Sequence, residues 1–374
     1  MMTKEELYKE LAKQKEEMTP QERLSAYLKG EETDCLPYGL LAPEDALAHI
    51  WGYTLGQVRR SFRLRCEMIR RREEVYGFSG LSVSLGLRGM AEAAGSTLYY
   101  PENAADYVKE YCVMDYGDLD RIEYEFHVDA NPVLKGKLEE GRRLRERFPH
   151  MKISTDAAGP FSTAAAMRPI ELVLRDIRKN PEELHRLLSF CVSSSLKWVE
   201  KFCRETGSKS VGLSDPVTSS DILGIKYFRE FSRPHLKELI DGIVKITGNT
   251  PSLHICGHTK PIWEDLMEIG IRNFSLDNCE NLREATEIMG EKVFIYGNVD
   301  PVDVMLLGDI DAVVDAVKKA VEKGSGNPSG YMLLTGCQVP IGTPKENIDA
   351  YIYAARKYGA AAKKGRLCKT ISEN

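Results

Sequence analysis

The chain of 374 residues has no long apolar run. None approaches the roughly 20 residues that span a bilayer, so a soluble protein with no membrane partner is expected. Positive charge is not in excess either. The formal net charge is −5 and the sequence pI about 5.9, which argues against nucleic acid as a partner. The one basic stretch, Arg59-Arg60 to Arg70-Arg71-Arg72, is interrupted by Glu67, Glu73 and Glu74 and reads as a solvated helix face. A disulfide framework is missing as well. The nine cysteines, at 35, 66, 112, 191, 203, 256, 279, 337 and 368, are odd in number and irregular in spacing. The N-terminus, Met-Met-Thr-Lys-Glu-Glu, does not resemble a signal peptide. A reducing, cytoplasmic setting is expected, in which cysteine is core filler, ligand or nucleophile. There is no Walker loop, no Gly-x-Ser-x-Gly elbow and no His-Glu-x-x-His helix. Ser84-Leu85-Gly86-Leu87-Arg88-Gly89 lacks the glycine pattern of a dinucleotide-binding sheet.

What the chain does have is alternation. Residues 1–77 read as a helical cap: Thr19-Pro20 opens one helix, Pro37 to Pro43 is a loop, and Thr54 opens a long amphipathic helix ending at Gly77. From Ser79 onward, short apolar runs alternate with helical patterns. The runs are Leu81–Leu85, Met151–Ala157, Ser210–Leu213, Ser252–Cys256, Asn273–Leu276, Val293–Tyr296 and Tyr331–Leu334. Helices follow from Asn180 to Gly207, from Asp309 to Gly324 and from the Thr343-Pro344-Lys345-Glu346 capping box to Gly359. Alternation of this kind predicts an α/β fold, a (β/α)8 TIM barrel over residues 78–374 with an N-terminal helical extension. Seven strands can be named and an eighth is hard to place; an open doubly wound sheet is the alternative.

In such a barrel, functional groups gather at the C-terminal ends of the strands. Several runs here end in polar or reactive residues: Asp156, Asp215, His254 and Cys256, Asp277-Asn278, Asn298 to Asp300, and Cys337-Gln338. His254 and Cys256 stand two apart in an extended run, so both side chains project to one face. An imidazole and a thiolate aimed at one point suit zinc. Alone, His-x-Cys is more often a core histidine beside an inert cysteine. Cys337, in a second Gly-Cys turn, supplies a third ligand, and three ligands leave an open position of the catalytic kind. Gly257 and Gly336 are expected to let the backbone approach the ion. His258 is a candidate for a supporting role, and Cys279 is expected in the core.

The order His254-x-Cys256 … Gly297-Asn298-Val299-Asp300-Pro301 … Cys337 resembles the uroporphyrinogen decarboxylase superfamily. Within it, the chain is similar to zinc-dependent methylcobalamin:coenzyme M methyltransferases. Gly159-Pro160-Phe161, Ser214-Asp215-Pro216-Val217 and Gly342-Thr343-Pro344-Lys345-Glu346-Asn347 carry the same resemblance. It implies a Zn2+ ion held by His254, Cys256 and Cys337. Further implications are methyl transfer from a methylcobalamin corrinoid, carried by a corrinoid protein, to a small-molecule thiol such as coenzyme M. Asp215 and Asp277 are the candidate catalytic carboxylates, with Asp277 also a candidate fourth ligand; Asn298, Asp300 and Gln338 are candidate contacts to the corrinoid. Cys337 stands where decarboxylase members carry a histidine. No N-terminal arginine cluster of the kind that holds porphyrin carboxylates is evident. A decarboxylase-like lyase and a tetrahydrofolate acceptor remain the alternatives.

Overall fold

The computed structural model describes residues 2–372. They fall into two compact units: Gly80–Arg272, and the described residues up to Ser79 together with those from Asn273 on. In chain order the strands are β1 (Thr33–Cys35), β2 (Leu81–Ser84), β3 (Thr97–Tyr99), β4 (Tyr107–Glu110), β5 (Ile153–Ala158), β6 (Val211–Ser214), β7 (Ser252–His254), β8 (Asn273–Ser275), β9 (Phe294–Val299), β10 (Tyr331–Thr335) and β11 (Ala360–Ala362). Seven of them run in parallel ladders, β2 and β5 to β7 in the first unit and β8 to β10 in the second. The architecture is of the α/β barrel type that the alternation predicts.

In the Gly80–Arg272 unit, β2 pairs with β5, β5 with β6 and β6 with β7, all parallel, with Thr155 opposite Val211 and Leu213 opposite Leu253. Parallel neighbours need a crossover. The longest here is the helix Pro181–Thr206, whose Leu184, Leu187, Leu188, Val192, Trp198, Val199 and Phe202 are buried. It ends at Gly207 in the left-handed region. Trp198 also donates its indole N–H to Thr155 Oγ1 at 3.1 Å, anchoring helix to sheet.

In the other unit, β8 pairs with β9 and β9 with β10, again parallel, with Phe274 opposite Ile295 and Leu333 opposite Gly297. The eighth strand position, which the sequence left empty, is partly filled here. Tyr38 forms an isolated parallel bridge to Leu333, supported by Leu333 N–H to Pro37 O and Gly39 N–H to Leu333 O. The expectation of a plain loop over Pro37 to Pro43 is therefore corrected. Proline lacks an N–H, so this segment pairs too briefly to show strand periodicity.

The helix expected to run unbroken from Thr54 is two helices, Leu55–Arg60 and Phe62–Tyr76. Ser61 is extended between them and its hydroxyl caps the second. Thr343 does not cap the last helix, because its hydroxyl donates to Pro340 O and the helix starts at Lys345. The buried Arg23 is paired to Asp34 and Glu16, as a buried guanidinium must be, and β1 pairs antiparallel with β11. Among the described residues, no helix is long and apolar enough to cross a membrane.

Candidate metal centre

His254 is the last residue of β7, opposite Ser214 of β6. The ladder stops there, but the alternation continues. Leu253 and Ile255 are fully buried, while His254 and Cys256 are half-buried on the opposite face. The extended run thus sends both side chains the same way. His254 Nε2 and Cys256 Sγ are 3.1 Å apart. Cys337 follows β10 through Gly336, with Thr335 Oγ1 donating to Cys337 O at 2.8 Å and fixing the turn. One ligand atom from each of His254, Cys256 and Cys337 lies within 4.8 Å of the other two. Tetrahedral zinc with Zn–S near 2.3 Å and Zn–N near 2.0–2.1 Å places its ligand atoms roughly 3.6–3.8 Å apart. Separations of up to 4.8 Å exceed that spacing by about 1 Å, so the side chains would close by about that much to hold such an ion. Donor type agrees with geometry, since one imidazole and two thiols are a zinc set.

Both glycines are required by neighbouring protein groups. A Cβ on Gly336 would lie 2.4 Å from the backbone N of Asn278, so it is the loop after β8 that requires glycine there. Gly257 has φ +81°, and a Cβ would meet Asp221 Oδ2 at 2.7 Å. Asp221 holds the turn after Cys256 by accepting the N–H of His258 at 2.9 Å and facing its Nδ1 at 3.0 Å. Those bonds keep the Asp221 carboxyl below its usual range. His258 is thus exposed and engaged with Asp221.

Asp277 lies two residues past β8 and is buried; its Oδ1 accepts the N–H of Cys279 at 3.0 Å. It is not one of the three residues in the ligand group. Cys279 is exposed, contrary to the expectation of a core position, because it stands on a loop rather than in the strand. Asn298 donates to the carbonyls of Asp277 and Glu280 at 3.0 and 2.9 Å. Asp300 accepts from Asn278 Nδ2 at 2.8 Å and from the N–H groups of Val302 and Asp303, an N-cap. Gln338 is exposed and donates to Asp45 Oδ2 at 2.9 Å.

Asp215 follows β6, and its backbone N–H donates to His254 O at 3.0 Å. Its side chain has the parity of Leu213, the face away from His254. It is fully buried against Gly159-Pro160-Phe161-Ser162, with Oδ1 accepting the Ser162 N–H at 2.8 Å and Oδ2 left without a partner. Burial pushes its carboxyl up to about 6, against the pull of hydrogen bonds from Ser162 and Phe161. The sequence reading did not single out Asp45 or Ser162. Each meets its partner only through the fold, Asp45 across 293 positions.

The sequence model of the uroporphyrinogen decarboxylase (URO-D) family matches residues 19–358. The chain belongs to that family. Methylcobamide:CoM methyltransferase MtbA of Methanosarcina mazei is 24% identical over 350 residues, covering 91% of this chain and 99% of its own length. A methylated-thiol–coenzyme M methyltransferase of the same organism is 24% identical, covering 91% of this chain and 90% of its own. Uroporphyrinogen decarboxylase 2 of Oryza sativa subsp. japonica is 28% identical over 176 residues, 47% of this chain and 43% of its own. A solved methyltransferase structure from Methanosarcina mazei superimposes with a TM-score of 0.76 at 23% identity, covering 92% of this chain and 100% of its own. The fold is shared with that structure.

Proposed function

We propose that the protein is a zinc-dependent methyltransferase that moves a methyl group from a methylated corrinoid to a small-molecule thiol. The observation that carries this reading is the convergence of His254, Cys256 and Cys337 within 4.8 Å. Two relatives matched over nine-tenths of the chain are named as methyltransferases acting with CoM. Bound by these residues, zinc would supply one open Lewis-acid position that holds a thiol in its deprotonated form. Two thiolates and a neutral imidazole offset the charge of a dication, so the incoming sulfur keeps its electron density. The transfer breaks the cobalt–carbon bond, whose electron pair stays on cobalt. A carbon–sulfur bond forms from a sulfur lone pair, and the thiol proton leaves to solvent beforehand.

The residues around the ligands position them. Asp221 sets the turn after Cys256, and Thr335 sets the turn that presents Cys337. Asn298, Asp300 and Asp277 tie the loop after β8 to β9, while Asp215 fixes β6 against the helix Pro160–Met167. Gln338, beside Cys337, is the residue we assign to the approach of the corrinoid. A decarboxylase reading leaves the two cysteines without a task.

The test is consumption of free methylcobalamin, followed by its visible absorption, with a panel of thiols that includes coenzyme M and with tetrahydrofolate. Thiol-dependent demethylation that disappears in Cys256→Ser and Cys337→Ser supports the reading. Demethylation that needs no thiol, or that survives both substitutions, refutes it.

A further inference from the structure

The four parallel strands of the Gly80–Arg272 unit have two unlike faces. On one, Val83, Ile153, Val211, Leu213 and Leu253 are buried. On the other, Ser84, Ser154, Asp156, Gly212, Ser214 and Ser252 are half-buried on the side of His254. Within β2, β5, β6 and β7 that second face carries no apolar residue larger than Ala158. The inner face of an α/β barrel is ordinarily filled by bulky branched side chains. Small polar groups in their place leave it wet rather than packed.

Strand pairing sets these residues in rows. Ser84, Asp156, Gly212 and Ser252 stand side by side, and Ser214 stands opposite His254 in the next row. A Cβ on Gly212 would press on Asp156 Cβ at 3.3 Å and stand 3.6 Å from Ser252 Oγ, so glycine keeps space between them. Two of the serines are committed to the fold. Ser84 donates to Asp156 Oδ1, and Ser154 donates to Leu81 O at 3.2 Å. The two that flank His254 are not. Among the described residues, the hydroxyls of Ser214 and Ser252 have no hydrogen-bond partner.

We propose that Ser214 and Ser252 recognise the methyl acceptor, and that the acceptor is a small thiol bearing a second, hydrogen-bonding group on a short carbon arm. The inference rests on the function proposed above and specifies its substrate. Neighbouring strands lie roughly 4.8 Å apart, and two residues of one strand span roughly 6.6 Å. Both hydroxyls are therefore one small molecule away from His254. A serine hydroxyl donates to an anionic oxygen and accepts from a hydroxyl or an amide, so the pair selects polarity rather than charge. An apolar arm displaces water from both hydroxyls and returns no hydrogen bond, which is the basis of the discrimination.

The experiment uses the full-length protein supplied with zinc, and its Ser214→Ala and Ser252→Ala variants. Calorimetry measures binding of mercaptoethanol, of coenzyme M and of propanethiol, which has the size of mercaptoethanol with a methyl group in place of the hydroxyl. KM and kcat for thiol-dependent demethylation of free methylcobalamin are measured in parallel. Wild type should bind at least one polar thiol about ten-fold more tightly than propanethiol. Each variant should lose about three- to ten-fold of that preference, with propanethiol affinity retained and the loss appearing in KM rather than kcat. Equal wild-type affinity for all three thiols overturns the proposal without recourse to any variant. A preference that survives both substitutions overturns it, and so does a variant that weakens propanethiol as much as the polar thiols, which makes the serines structural. Wild-type protein that binds no thiol refutes the proposed function and this inference with it. Selective thiol binding without demethylation refutes methyl transfer and leaves the serine subsite standing.

Discussion

His235 gives the sharpest physical test of the packing. It lies on the helix Arg233–Thr247 and is 8% exposed. Its Nε2 is 3.1 Å from His185 Nδ1, and its own Nδ1 is buried without a partner. Burial, then the proximity of His185, depresses its pKa from 6.5 to about 4. The sign follows directly. The folded protein binds this proton less readily than the unfolded chain, so the neutral ring contributes full stability above pH 6.5 and that contribution falls as pH drops toward 4. Each pKa unit is worth 1.36 kcal/mol, and the linkage gives a loss of about 2 kcal/mol between pH 7 and pH 5. His235→Gln keeps a polar group for His185 and removes the titration. Urea unfolding of both proteins at pH 7 and pH 5 isolates the effect, since every other titrating group is common to them. Wild type should lose about 2 kcal/mol more than the variant. Parallel losses in the two proteins would refute the reasoning.

Three further outcomes are expected. Gly336→Ala, whose Cβ would sit 2.4 Å from the Asn278 backbone, should destabilise by about 3 kcal/mol and lower zinc retention, read by urea unfolding and metal analysis; wild-type stability would contradict the close approach. Asp215, with a folded pKa of about 6, is least costly when protonated, so the stability of Asp215→Asn minus that of wild type should rise as pH increases from 5 to 8, by about 1.5 kcal/mol in metal-free protein. Asn298→Ala removes the amide that holds the carbonyls of Asp277 and Glu280. It should cost about 1–3 kcal/mol and reduce methyl transfer without removing zinc, so complete metal loss in that variant would show that the loop does more than position.

The grouping of the three candidate ligands was legible because it depends on spacing and residue chemistry. His254 and Cys256 share a face in any extended run, and Cys337 was recognisable from the matching Gly-Cys turn and the resemblance. The seven parallel strands were legible for a similar reason, as seven apolar runs of the right length, six of them followed by polar or reactive residues, whereas the short antiparallel pairs β1–β11 and β3–β4 were not. What stayed hidden depends on partners distant in sequence. Tyr38 pairs with β10 across nearly 300 residues, and Pro37 and Pro43 mask its extended character. The break at Ser61 was invisible to periodicity, because the apolar stripe on either side continues and only the extended conformation of Ser61 divides it. The task of Gly336 could not be read at all. Its neighbour is the backbone of Asn278, and contacts to backbone leave no trace in residue type.

The central claim is that His254, Cys256 and Cys337 hold one divalent ion. Metal content after exhaustive dialysis, measured for wild type and for Cys337→Ser, tests it most directly. The account predicts about one zinc per wild-type chain and its loss in a folded Cys337→Ser protein. Wild-type protein that stays metal-free and cannot be loaded with zinc, yet transfers methyl groups to a thiol, would contradict it.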